Sequence, residues 1–172
     1  LRLPAAAPSS RSANGYTHTV FKFDHRTLTY SCGSEELERA VQDWASVSGL
    51  VDGGCSPSPD ITLVIVTEEE MPYPAGGAGA PGKIWIPERN IHKYGIFLHE
   101  VGHAVGMGHS SNTPGEPNFA FWDATMYYMC CAPLNSDDIA GIQALYGPPE
   151  SDAPDKLPLM PYRNFTPMVA NQ

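Results

Sequence analysis

The stretch HEVGHAVGMGH, residues 99–109, places three histidines, one glutamate and three glycines inside a segment whose other residues read as a buried helix. His99 and His103 stand one helical turn apart, so their Cβ atoms lie on one face about 5–6 Å from each other, which suits two imidazoles gripping a single ion. A zinc ion bound by nitrogen at about 2.0–2.1 Å takes a third protein ligand and keeps the fourth tetrahedral position open. His109 supplies that ligand only if the helix stops. Continued as a helix, His109 would stand about 9 Å further along the axis than His103 and roughly 80–120° around it from the pair. Gly106 can take the left-handed conformation that turns the chain, and Gly108 adds freedom just before the ligand. Glu100 projects beside the histidine pair, where a shielded carboxylate can take a proton from a zinc-activated water and return it. A purely structural zinc has no use for it. A lone histidine on a helix is usually an ordinary satisfied side chain, yet the fixed positions of H-E-x-x-H-x-x-G-x-x-H arise by chance in about one chain in 10⁵ of this length.

The chain has 172 residues, room for one domain with a real core. Hydrophobic residues make up 42% and charged residues 17%, a globular composition, while 17 prolines and 16 glycines point to many turns. A net charge of −9 leaves no basic stripe to neutralise phosphates, so neither nucleic acid nor an anionic membrane is an expected partner. No apolar run approaches the roughly 20 residues of a membrane span. LRLPAAAPSSRSANG lacks an apolar h-region, so an export signal or pro-segment is expected to have been removed.

Cys32, Cys55, Cys130 and Cys131 form an even set without C-x-x-C spacing, which reads as two disulfides of a secreted protein. Four reduced, buried thiols are the alternative. Three pairings are open. One needs a vicinal Cys130–Cys131 bond, a rare arrangement, so the reading favours Cys32 and Cys55 each reaching into the 130/131 pair.

Residues 1–15 read as an irregular Pro/Ala/Ser arm and 148–172 as an irregular Pro-rich tail, flanking a domain over 16–147. THTVFKF and TLTYS alternate around Asp24-His25-Arg26 and predict two strands joined by a turn. From Ser34 or Gly33 to Gly49, Leu37, Val41, Trp44, Ala45 and Val47 recur at helical spacing, with Glu35, Glu36 and Glu38 crowding the first turn. DITLVIV (60–66) and KIWIP (83–87) are buried-strand runs, and the glycine-rich AGGAGAPG between them suits a sheet edge approached closely by another backbone. A helix is expected over about Ile91 to Val105, and another over Ser136–Tyr146, started by an Asn135/Asp138 capping box and stopped by Gly147-Pro148. Glu68 to Glu70 read as a solvated loop. The order of elements suggests a mixed sheet with helices.

H-E-x-x-H-x-x-G-x-x-H resembles the signature of the metzincin zinc peptidases, and three further features resemble the matrixin branch, the matrix-metalloproteinase-like enzymes. Ser110 directly follows the third histidine. Ala124-Thr125-Met126-Tyr127 is similar to the matrixin A-L-M-Y turn, and LNSDDIAGIQALYG (134–147) is similar to the matrixin C-terminal helix L-S-x-D-D-I-x-G-I-Q-x-L-Y-G. The likeness covers about residues 16–147. It implies an α+β, metzincin-like catalytic domain: a twisted mixed β-sheet with an active-site helix and a C-terminal helix. The cleft would lie between a larger N-terminal and a smaller C-terminal subdomain. It also implies zinc ligation by His99, His103 and His109, Glu100 as general base, and Met126 as the hydrophobic floor of the Met-turn. Without the family, Met126 reads as a core methionine, and Met129 is the alternative for the turn. Tyr128 stands two residues after Met126, as in astacins and serralysins, where a tyrosine contacts the metal or the oxyanion; packing is its other reading.

Departures from the family pattern matter equally. PYPAGGAGAPGKIWIPERN replaces the usual H-G-D loop and its histidines, so one zinc is expected and calcium is left open. His18, His25 and His92 are spare. The segment Ser111 to Asp123 is longer than the matrixin norm, and the Cys pairs are not a general feature of the family. The implied protein is a secreted, monomeric zinc endopeptidase whose protein or peptide substrates lie extended along a sheet edge, with AGGAGAPG as upper rim and residues 127–134 as pocket wall. The alternatives are a catalytically silent zinc-binding module with a blocked cleft and a purely structural zinc.

Overall fold

Ser34 opens the first helix by accepting the Leu37 N–H at 3.2 Å, and the acidic residues Glu35, Glu36 and Glu38 sit in the first turn, where the helix dipole favours them. This helix, α1 (Glu35–Ser46), buries Leu37, Ala40, Val41, Trp44 and Ala45 along one face. It belongs to a computed structural model that describes residues 10–11, 15–71, 75–110, 123–127 and 132–150. Helix α2 (Tyr94–Ala104) packs beside α1, and the Trp44 indole N–H donates to the Leu98 carbonyl at 2.8 Å to join them. Helix α3 (Ser136–Tyr146) starts from Asn135 with the capping box expected of it and ends at Gly147, where φ is +80°.

The strands are β1 (Ser10–Arg11), β2 (Thr17–His18), β3 (Thr27–Tyr30), β4 (Val51–Cys55), β5 (Thr62–Val66), β6 (Ala78–Ala80), β7 (Lys83–Pro87) and β8 (Met107–Gly108). The β-branched run TLVIV pairs in parallel with KIWIP, from Thr62 opposite Lys83 to Val66 opposite Pro87, and β6 closes the far edge of β7 antiparallel. Strand β3 pairs in parallel with β4. Ser31 N–H donates to the Ile61 carbonyl, and Ile61 N–H to that of Thr29, both at 3.0 Å, which ties β3 to β5. The order is therefore β4-β3-β5-β7-β6, a mixed sheet with β6 alone antiparallel. Helix α2 lies against β6 and β7. The fold is α+β, and its core gathers Leu28, Trp44, Ile84, Ile86, Phe97, Leu98, Val101, Met107, Met126 and Ile142. Each such side chain contributes roughly 1.5–3 kcal/mol by leaving water. No helix among the described residues is long and apolar enough to cross a membrane.

Four local expectations are corrected. Strands 17–23 and 27–31 do not pair as a hairpin. Thr17 and His18 pair instead with Gly108 and Met107 on one side and Arg11 and Ser10 on the other, so a short stretch of the N-terminal arm is strand, while TLTY takes VDGGC as its partner. VDGGC is itself a strand, hidden by its low β propensity: a Cβ on Gly53 would come within 2.8 Å of the Leu28 carbonyl oxygen, and Gly54 takes φ +79° where the register shifts. Helix α2 begins at Tyr94, since a 3₁₀ turn over Glu88–Asn90 uses up the preceding residues. Finally, Cys32 bonds to Cys55, not to residue 130 or 131. The parallel pairing that sets Tyr30 opposite Cys55 also brings Cys32 alongside, with the two Cα atoms 4.8 Å apart. Cys130 and Cys131 lie outside the described residues.

Candidate functional site

Helix α2 carries its polar residues inward because its other neighbours seal them there. His99 is 4% and Glu100 5% exposed. Gly102, between the two helical histidines, leaves the space that the Met126 sulfur and the Trp44 ring fill. The helix ends at Val105, and Gly106 takes φ +103°, the left-handed turn its position requires. A side chain on Gly106 would also collide with the Phe21 carbonyl. Gly108 does a different job from the one expected: its φ is not positive, and its missing side chain is the space occupied by the Thr17 hydroxyl.

Beyond this bend His109 returns to the helix, and the three rings converge on their Nε2 atoms. His99 and His103 are separated by 3.1 Å, His103 and His109 by 3.1 Å, and His109 and His99 by 3.3 Å at those nitrogens. These contacts are not hydrogen bonds. The His99 Nδ1–H donates to the Thr125 carbonyl at 2.7 Å, and the His103 Nδ1–H to that of Met107 at 2.9 Å. A carbonyl only accepts, so each Nδ1 carries the ring proton and each Nε2 presents a bare lone pair. Lone pairs gathered this closely repel unless a cation lies among them. Tetrahedral nitrogen ligands about 2.0–2.1 Å from zinc stand about 3.3 Å from one another, so the trio fits one such ion. His99, His103 and His109 are the one cluster of this kind among the described residues.

Burial keeps the rings in the neutral, metal-binding form. It holds the His99 pKa well below the ordinary histidine value, with the neighbouring His103 and His109 charges adding to it. Burial lowers that of His103 too, and burial reinforced by His103 brings His109 down to about 3. The same exclusion of water pushes the Glu100 carboxyl up to about 8. Its lid is β6 and the chain leading into it. A Cβ on Gly77 would come 2.9 Å from Glu100 Oε1, and one on Gly79 would come 2.6 Å from both the Glu100 carbonyl oxygen and His103 Cβ. The glycines of AGGAGAPG thus let an edge strand lie directly on the carboxylate and the second histidine. Asn90, 2% exposed, donates to the Gly76 carbonyl at 2.7 Å and pins the entry to that strand.

Met126 is fully buried in the turn Ala124 to Tyr127, which also offers the Thr125 carbonyl to His99. Asp138 does more than its sequence position predicts. Assigned only to the cap of α3, it also accepts the N–H groups of Thr125 at 2.8 Å and Met126 at 2.9 Å, while serving Asn135 at 2.9 Å. Its burial raises it to about 6 against the pull of those donors. The adjacent aspartates in NSDD were the available signal. The spare histidines have other partners: His18 contacts the Gly141 carbonyl, His25 sits between Asp24 and Asp60, and His92 meets Glu36. Glu68, expected in a solvated loop, caps the Arg89 guanidinium at 2.6 Å, more than half exposed. Tyr128, Met129 and the segment 111–122 lie outside the described residues.

Residues 67–147 match the matrixin family model. The interstitial collagenase of Equus caballus is 28% identical over 181 residues, covering 90% of this chain and 36% of that protein. The neutrophil collagenase of Homo sapiens is 47% identical over 161 residues, covering 77% of this chain and 33% of its own length. The chain spans about a third of the length of these curated relatives. Among solved structures, the crystal structure of myroilysin superposes with a TM-score of 0.42 at 15% identity, over 77% of this chain and 67% of that one.

Proposed function

The chain belongs to the matrixin branch of the metzincins, and from that premise we propose that it is a secreted zinc endopeptidase acting on extended protein or peptide substrates. The observation that carries this reading is the triangle of bare Nε2 atoms beside a buried carboxylate that is not part of it. Zinc held by His99, His103 and His109 supplies a Lewis acid that lowers the pKa of water towards 7 and favours negative charge developing on a carbonyl oxygen. Glu100 takes the proton of the attacking water and delivers it to the leaving amine. Burial raises this carboxyl in the metal-free chain, and a zinc ion beside it would draw it back down, so that it could take a proton as a carboxylate and return it. Thr125 and Met107 orient the first two rings through Nδ1 and so commit Nε2 to the metal. Strand β6 is the free edge of the sheet, and its backbone groups are placed to receive an extended chain beside Glu100. The Cys32–Cys55 bond favours an oxidising, extracellular setting.

The deciding experiment compares wild type with Glu100→Ala on a proteome-derived peptide library, with zinc content measured in parallel. The expected result is unchanged zinc and lost cleavage. Equal cleavage by both proteins, or none by either, overturns the reading and returns the silent-module alternative.

A further inference from the structure

Strand β2 reaches the third histidine from a part of the chain that the metal-binding motif does not contain. The segment that must hold His109 in place runs Gly106-Met107-Gly108, with a glycine on either side of one residue, and it has left the helix whose hydrogen bonds fix His99 and His103. Its rigidity must come from outside. Thr19 N–H donates to the Gly106 carbonyl at 2.8 Å, and Thr17 and His18 pair with Gly108 and Met107. One contact goes further. The Thr17 hydroxyl, on a residue only 3% exposed, donates to the backbone carbonyl of His109 itself at 2.8 Å. Gly108 has no side chain where that hydroxyl passes, so the two residues fit only as a pair.

We propose that Thr17 is a positioning residue for the third metal ligand: its hydroxyl clamps the His109 backbone so that Nε2 stays within reach of an ion held by His99 and His103. This rests on the zinc reading of the trio. Removing the hydroxyl deletes the side-chain bond to the His109 carbonyl and loosens a ligand that directly follows Gly108, although the backbone pairing of β2 and β8 and the bond from Ser110 N–H to the Met126 carbonyl remain. Outer partners of this kind change metal affinity by about 10–100-fold. Because Thr17 acts through backbone and not through the ring, the lower end of that range is expected.

The test loads the metal-free chain with cobalt(II), whose visible bands report coordination geometry, and measures zinc affinity by competition with a chelator. Wild type, Thr17→Val, Thr17→Ser and Thr29→Val are compared. Thr29 has an equivalent hydroxyl bonded to Asp60 on β3, so its loss is a stability control away from the ligand loop. The account expects Thr17→Val to bind zinc about tenfold more weakly with altered cobalt bands. Thr17→Ser should match wild type in both readouts, and so should Thr29→Val. Wild-type bands and affinity in Thr17→Val, or a loss no larger than in Thr29→Val, overturn the proposal. Should Thr17→Val not fold, Gly108→Ala, which displaces the hydroxyl without deleting it, carries the same two outcomes. A wild-type chain that shows no cobalt bands overturns the zinc reading itself, and does so before any substitution is made.

Discussion

His99 donates its Nδ1–H to the carbonyl of Thr125, 2.7 Å away, across the gap between helix α2 and the turn that holds Met126. Thr125 is held in turn by Asp138, so the orientation of the first histidine depends on a carboxylate at the start of a different helix. Asp138→Ala removes the acceptor for three N–H groups, those of Thr125, Met126 and Asn135. Hydrogen bonds to a charged group contribute about 1.5–3 kcal/mol each and are not additive, so a loss of about 3 kcal/mol is expected in urea unfolding, with weaker zinc binding. Unfolding and metal affinity like wild type would disprove this link.

Gly79→Ala should be far more damaging than Gly76→Ala. A Cβ at residue 79 meets the Glu100 backbone oxygen and His103 Cβ at 2.6 Å, whereas one at residue 76 meets the end of the Ile96 side chain at 3.4 Å and Asn90 Nδ2 at 3.8 Å, both ordinary contacts. Overpacking of this kind costs about 1–3 kcal/mol. Thermal melts of the two variants read the difference, and equal midpoints would show that β6 does not lie on the helix as described.

Relative to Glu100→Gln, the metal-free chain should lose stability as pH rises from 6 to 8; the buried histidines, whose lowered pKa values act in the opposite direction, contribute equally to both proteins. Burial raises the Glu100 carboxyl to about 8 from 4.5, so over that interval the folded chain keeps a proton that the unfolded chain has released. The stability is present at acid pH and is lost as pH climbs towards the folded value, by up to about 1.4 kcal/mol per pH unit. Glu100→Gln removes the titration. Melting midpoints of the two metal-free proteins across pH 6–8 should therefore diverge, wild type falling relative to the variant as pH rises; parallel curves would count against a buried, isolated carboxyl.

Cys32 and Cys55 close a loop with a sequence separation of 23. A loop of that size stabilises by about 3 kcal/mol in the chain-entropy account. The double Cys32→Ser, Cys55→Ser variant should lose about that much in urea unfolding. Mass mapping of unreduced peptides should recover the 32–55 link; a link from either residue to 130 or 131 would contradict the pairing of β3 with β4.

Elements carried by local pattern were legible in the sequence. Ser34 and Asn135 announce α1 and α3 because a cap is a contact within three residues, and the spacing of His99 and His103 follows from helix geometry alone. The bend that returns His109 was readable in Gly106, whose left-handed φ a single residue type announces. What escaped was pairing over long separations. Nothing near Thr17 says that it will lie beside Gly108, nor near Cys32 that Cys55 will arrive on a parallel strand. VDGGC hides a strand because its glycines answer to close approach by Leu28 and to a register shift, and not to strand propensity. Asp138 was visible as a cap, but its hold on Thr125 and Met126 depends on how α3 docks. Gly108 reads in the sequence as a point of flexibility, and in the fold it is a clearance for Thr17.

The central claim is that three imidazoles and no other protein groups hold one zinc ion beside Glu100. Diffraction data recorded on either side of the zinc absorption edge, from crystals of the zinc-supplied chain, test it most directly. The account predicts a single anomalous peak about 2.0–2.1 Å from Nε2 of His99, His103 and His109. An empty triangle in that map, or a peak ligated by Glu100 in place of one of the rings, would contradict it.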